Sequence, residues 1–372
     1  WARRSAVALA ALLVGAWTWG ASPAAAYPLF AHRYGVSCQT CHSVVPRLNA
    51  FGERFKAAGY RWPGKVETHD AFPVTVKVNL AYTSEPDPGG LPKALADEVE
   101  LLSAGPLGRS LSYHLEQYLA DGGVPGKTRD AWVAYDSDPQ SAWSSRGARG
   151  LWLHAQLGQF TLPLPNDPET FRPTANHYAV FDQTVGANPF NLFNDGMGIE
   201  IGVAARGGEL QLMALKGHDP QSGLPTQGTD RMATLRLGSH ALSVSGYRYE
   251  GTRPLGPIGD RFWRTGWALS SIVGKSRASL LLQTGNDTSA DGLGTEVASS
   301  GGYVQEEWAF SPRLIGVARY DGLSGAGDGF MRSTTVALVF RPYRRARFTI
   351  EEVLRQQPRP TNTLNLGWLF AY

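Results

Sequence analysis

The chain has 372 residues, and its 35 Lys and Arg against 32 Asp and Glu give a net charge of +3, with no basic field of the kind nucleic acid needs. Aromatic rings make up 11% of it and glycine occupies 43 positions, a turn-rich composition that suits an all-β protein better than a helix-rich globule. Beyond the N-terminus no apolar run is long enough for a transmembrane helix, which excludes a helical membrane protein.

In chain order, Arg3 and Arg4 precede an apolar stretch from Ala6 to Trp19, and the small residues Ala24, Ala25 and Ala26 follow. This pattern predicts a secretory signal over 1–26 that is removed on export. A membrane anchor would need about 20 apolar residues, more than this run holds. Without Arg3 and Arg4 the mature part has 33 basic residues against 32 acidic ones, a net charge of +1.

Both cysteines of the chain fall in Cys38, Gln39, Thr40, Cys41, His42. The spacing lets one helical turn present two thiols to the vinyl groups of a haem, while the next residue offers an imidazole to the iron. Zinc would require four ligands, and no second cysteine pair supplies them. A thioredoxin-like pair would sit in a βαβ unit, and no such pattern surrounds this one. The motif therefore predicts one covalently bound haem c on Cys38 and Cys41, with His42 as the proximal iron ligand.

The segment 27–73 that carries the motif is too short to bury a core without a staple or a larger neighbour. It has no methionine, and His32 and His69 are its other imidazoles. Val45, Leu48, Phe51, Phe55 and Ala58 recur at helical spacing, with Gly59 as a stop signal, so a small α-helical segment is expected.

From Val74 to the end, runs of about ten residues alternate apolar and polar. Val74, Val76, Val78, Leu80 and Tyr82 take one side of the first run, and Thr75, Lys77 and Asn79 take the other. The same reading predicts strands over 74–83, 97–104, 110–120, 129–136, 151–160, 197–205, 209–216, 231–238, 240–250, 262–273, 276–284, 301–310, 313–321, 331–341, 344–353 and 362–372. Tight turns at 206–208, 274–275, 311–312 and 342–343 alternate with long links rich in Gly, Asp and Thr, with 137–150 as an exception. A soluble β-sandwich also has short strands. The final strand argues against it, because Leu364, Leu366, Trp368, Phe370 and Tyr372 form an apolar face that ends on an aromatic. Residues 74–372 are thus expected to form an antiparallel outer-membrane β-barrel of about 16 strands.

The longest link, Thr161 to Gly196, holds five prolines and leaves two arrangements open, folding inward to narrow the pore or forming a solvated outer lid. Strand parity turns Ser112, His114 and Glu116 into the lumen, and likewise Trp152, His154, Gln156 and Met213. His69, His114 and His154 are the candidate distal ligands for the haem iron, with His32 and Met213 behind them.

Tyr27, Pro28, Leu29, Phe30, Ala31, Gly35, Cys38, Cys41, His42, Pro46, Leu48, Asn49, Phe51, Gly52, Phe55, Lys56, Gly59 and Tyr60 together resemble the head of the porin–cytochrome fusion family of outer-membrane iron oxidases. The chain departs from that pattern at His32, Arg33 and Tyr34. The resemblance implies a mono-haem plug fused to a sixteen-stranded barrel in the bacterial outer membrane, in contact with its lipid. It implies electron transfer from extracellular Fe(II), or another donor, to a periplasmic carrier such as a cytochrome, an oxidoreductase activity if iron is the substrate. The alternative is a solute-diffusion porin in which the haem segment is a plug, sensor or structural staple.

Overall fold

A computed structural model of the chain describes residues 29–64, 73–86, 92–122, 124–143, 151–167, 171–193, 195–205, 207–216, 228–326, 329–342, 346–357 and 360–371. The signal segment 1–26, His69 and Tyr372 lie outside the described residues.

Sixteen long strands form one closed antiparallel barrel. They are β1 (Thr75–Pro86), β2 (Pro92–Pro106), β3 (Leu111–Asp121), β4 (Thr128–Asp136), β5 (Trp152–Phe160), β6 (Gly196–Ala205), β7 (Gly208–Lys216) and β8 (Asp230–Gly238). The series continues with β9 (Leu242–Arg253), β10 (Asp260–Val273), β11 (Ser276–Asp287), β12 (Val297–Ser311), β13 (Leu314–Ala326), β14 (Gly329–Phe340), β15 (Ala346–Gln357) and β16 (Thr361–Ala371). Each overlaps a strand expected from alternation, several running three to five residues beyond the expected bounds, as Pro92–Pro106 and Leu314–Ala326 do. A two-residue stub, Val124–Pro125, pairs with the end of β3. The barrel closes where β16 pairs with β1, from Asn365 opposite Thr83 to Ala371 opposite Lys77.

Side-chain parity sets the two faces. On β7, Leu210 and Leu212 are exposed while Met213 is buried, and on β3, Leu111 and Leu115 point out while Ser112 and Glu116 are buried. An apolar outer face on a strand array with no open edge is what a hydrocarbon environment demands. The inner face buries charge in pairs: Arg253 with Asp230 at 2.8 Å, Arg264 with Asp287 at 2.7 Å and Arg319 with Asp321 at 2.8 Å. Each pair compensates charges that would be costly alone. One barrel end has short turns, such as the Gly274 and Lys275 pair in which Gly274 takes φ +60°.

Two inserted pieces occupy the lumen. The link after β5 folds inward, which decides between its two expected arrangements: Tyr178, Val180 and Phe181 are fully buried. Its polar groups bond to the wall across the lumen, with Ala175 N and Asn176 N on Glu351 at 2.9 and 2.7 Å. Asn188 Nδ2 reaches Asp260 and Asp287 at 2.7 and 3.0 Å. These partners lie on strands far along the chain.

The other insert is the N-terminal segment. It comprises α1 (Leu29–Tyr34), a 3-10 turn (Cys38–Thr40), a two-stranded ribbon (His42–Val44 with Arg47–Leu48) and α2 (Ala50–Ala57). Its apolar stripe is helical only from Ala50, so Val45 and Leu48 sit in the ribbon rather than on the expected helix. Pro46 brings no backbone N–H to a helix there. Asn49 starts the helix instead, its Oδ1 accepting from Phe51 N and Gly52 N at 3.0 Å each. The helix ends as expected at Gly59, which takes φ +59°.

Replacing Leu212 with Arg should destabilise the folded barrel by roughly 2–4 kcal/mol if that position lies near the bilayer midplane, whereas a polar replacement of the neighbouring Gln211 should change little. Denaturant unfolding in lipid vesicles checks this.

Candidate functional site

The CxxCH turn is held by α2. Asn49 Nδ2 donates to the carbonyls of Gln39 and Thr40 at 3.1 Å each, and Asn49 N donates to Cys41 O at 2.8 Å. Gly52 lies so close beneath that a Cβ on it would fall 2.1 Å from Cys41 O. The helix and the motif therefore form one unit, and Asn49 and Gly52 are its joints.

Cys38 is buried and Cys41 half-buried, with no disulfide between them. Burial, together with Cys38 next to it, pushes the Cys41 thiol up to about 11. A CxxC redox pair depends on the opposite shift, toward the thiolate. His42 Nδ1 donates to Pro46 O at 2.8 Å. Burial pushes the ring below its ordinary pKa against the opposing backbone bonds to Pro46 and Arg47. A neutral ring with its proton on Nδ1 leaves the Nε2 lone pair for a metal, the usual arrangement of a ligating histidine. Two thiols on one short turn followed by an imidazole so oriented form a donor set that fits a covalently attached haem.

The segment spans the short-turn mouth. On one side Leu29 N donates to Thr75 Oγ1 at 2.8 Å, and Arg61 Nη2 donates to the carbonyls of Gly108 and Leu111 at 2.7 and 2.5 Å. On the opposite side Arg47 Nη1 pairs with Glu307 at 2.6 Å, and Val44 packs on Ile315, Val317, Ala337 and Val339. Aromatic rings fill the first side: Phe30 stacks on Tyr60 at 5.3 Å, Tyr34 on Trp62 at 4.7 Å, and Phe51 meets Trp143 at 4.9 Å. Trp143 belongs to the unexpectedly long link after β4, and its Nε1 donates to Arg61 O at 3.1 Å. The described part of that link thus packs on the segment.

The candidate distal ligands separate. His114 meets the segment, with Nδ1 at 2.9 Å from Tyr60 Oη, Nε2 at 3.5 Å from Glu116, and its ring stacked on Trp132. His154 faces carboxylates, with Nδ1 at 2.6 Å from Asp136 and Nε2 at 3.8 Å from Glu200. Met213 packs under the inward loop, in a different cluster from the one around Phe55 and Tyr60. His32 stands on α1. His114, Glu116 and Asp130 bring donor atoms within 4.8 Å of one another, a set that could hold a divalent cation. On the inward loop Asp182 lies 3.2 Å from His177.

Trp132, Trp143 and Arg47 contribute to the site without a motif to mark them. Parity alone would have turned Trp132 inward, since its β4 neighbours Val133 and Tyr135 are exposed. Nothing local marks the other two.

No family model and no curated protein matches the chain. Among solved structures it is similar to an anion-selective porin from Comamonas acidovorans, at 14% identity and a TM-score of 0.60, covering 81% of this chain and 99% of that one. It is also similar to OmpF of Salmonella typhi, solved in complex with daunomycin, at 11% identity and a TM-score of 0.56 over 82% and 99% of the two chains. OprB of Pseudomonas putida follows at 8% identity and a TM-score of 0.54 over 81% and 94%. The chain thus has the closed sixteen-stranded fold of the outer-membrane porins.

Glu53 on α2 anchors the segment to the end of β8 and the turn after it, at 3.6 Å from Arg236 and 3.1 Å from His240. Burial works against its charge, but the His240 hydrogen bond and the Arg236 charge together hold the carboxyl below its ordinary value. A depressed acid contributes stability at neutral pH and loses it as pH falls out of the ordinary carboxylate range and through the depressed value. Limited proteolysis of the segment against pH should show this acid step in the wild type and lack it in Glu53→Gln.

Proposed function

We propose that the chain is an outer-membrane mono-haem cytochrome, a one-electron conduit whose haem c is attached to Cys38 and Cys41 with His42 as proximal ligand. The observation that carries this reading is the Nδ1 bond from His42 to Pro46 O beside two thiols on one turn, within a barrel lumen. A haem bound there supplies one-electron exchange. The chain's own residues do the rest. Asn49 and Gly52 hold the motif on α2, Pro46 O orients His42, and the aromatic side of the segment excludes water. The apolar belt meets outer-membrane lipid. The long-loop end would face extracellular Fe(II) or another donor, and the short-turn end a periplasmic carrier such as a cytochrome. Fe(II) oxidation would make the chain an oxidoreductase. His69, His114 and His154 remain the candidates for the distal position, and of these His114 touches the segment.

A second reading, a solute-diffusion porin with the segment as plug, sensor or staple, is favoured by the fold shared with an anion-selective porin. In this reading a solute would pass beside the segment and the inward loop, both of which the lumen holds.

Wild-type protein should carry a haem-staining band after denaturing electrophoresis and be reduced by Fe(II), and Cys38→Ala with Cys41→Ala should lose both. If wild-type protein takes up no haem while its liposomes pass small solutes, the porin reading replaces the conduit.

A further inference from the structure

Where the inward loop meets the N-terminal segment, five arginines converge. Phe171, on the loop, is faced by Arg47 at 5.5 Å and by Arg277 at 5.2 Å. Ser43 joins Arg47 to Arg341: its Oγ accepts from Arg47 Nε at 3.0 Å and its carbonyl accepts from Arg341 Nη1. Arg172 follows Phe171 in the chain, and its carbonyl accepts from Arg347 Nη1 at 3.4 Å.

Arg172 turns its Nη1 to Ala175 O within the loop, and direct carboxylate partners are few for the others, with Glu53 and Glu98 acting on Arg277 and Arg347 only through their charge. Arg47 has Glu307 at 2.6 Å, but Glu307 also accepts from Gln305 at 3.0 Å. On the strand of Arg347, Glu351 is taken up by Ala175 N, Asn176 N and Asn365 Nδ2. Among the described residues Arg277, Arg341 and Arg347 make no ion pair with a carboxylate. Arg341 spends its two terminal nitrogens on the carbonyls of Ser43 and Pro312, and its Nε is buried with no partner. Burial and the neighbouring Arg47 push Arg341 below its ordinary pKa.

Guanidinium groups gathered away from bulk water are unfavourable without an anion, and their planar forks match the oxygens of phosphate or carboxylate. We infer that this arginine cluster is an oxyanion site inside the barrel, built from the segment (Arg47), the loop (Arg172) and the wall (Arg277, Arg341, Arg347). Its occupant carries phosphate-type or carboxylate oxygens. Two sources offer that chemistry, a free inorganic oxyanion entering the lumen and the propionates of a haem attached to the same segment. Only the second source rests on the cytochrome reading.

The probe is inorganic phosphate, titrated calorimetrically into the full-length protein in detergent and into the haem-free Cys38→Ala, Cys41→Ala variant. Saturable binding by both forms supports the site with a free anion. Binding by the haem-free form alone supports it with the propionates as occupant. In the haem-free background, Arg277→Gln with Arg341→Gln should weaken phosphate at least about tenfold, while Arg277→Lys with Arg341→Lys should retain part of it. Heat-modifiable migration checks that each barrel is folded, and Arg341→Gln alone serves if the double variant is not. Failure of the haem-free form to bind phosphate saturably, or equal binding by its folded Gln variants, overturns the site. If wild-type protein takes no haem, the propionate source falls and the phosphate arm still decides.

Discussion

Every backbone N–H and C=O that crosses hydrocarbon must find a partner within the protein, and the pairing of β16 with β1 is what meets that demand here. Closure fixes the rest. It gives each strand one face toward lipid and one toward an enclosed lumen, so the period-two pattern becomes an apolar exterior and a charged interior. The interior charges then need partners, and Arg253 with Asp230, Arg264 with Asp287 and Arg319 with Asp321 supply them locally.

What remains of the lumen face is used to hold inserted chain. The loop after β5 is bound to strands β10 to β15 through Asp260, Asp287, Asp321 and Glu351, so its inward course is fixed by the wall opposite its origin. The N-terminal segment is bound at the short-turn mouth by Thr75, the carbonyls of Gly108 and Leu111, and Glu307. The two inserts meet where Phe171 lies against Arg47. A segment too small to bury its own core thus borrows one from the barrel, and the CxxCH turn gains an enclosed setting that its own sequence could not build.

The strands were legible because alternation is a local signal and closure preserves it; all sixteen expected runs appear in order. The CxxCH motif was legible for the same reason, as its chemistry is written in adjacent residues. Contacts between distant stretches were not. The arrangement of the Thr161–Gly196 link stayed open in the sequence because its partners are acids on strands up to 176 residues away. The apolar stripe from Val45 to Ala58 suggested one helix, yet the Asn49 cap outranked periodicity and left Val45 and Leu48 in a ribbon. Trp143 lay in a link that looked merely too long, and its role depends on Arg61 and Phe51.

The CxxCH segment is an integral filling of the barrel mouth rather than a tethered appendage. Hydrogen–deuterium exchange on the full-length protein in lipid tests it most directly. Exchange of the amides of Phe51 to Ala57 and of the ribbon around Val44 should be slow, comparable to that of the barrel strands. Exchange of these amides at the rate of an unstructured peptide, beside a protected barrel, would contradict it.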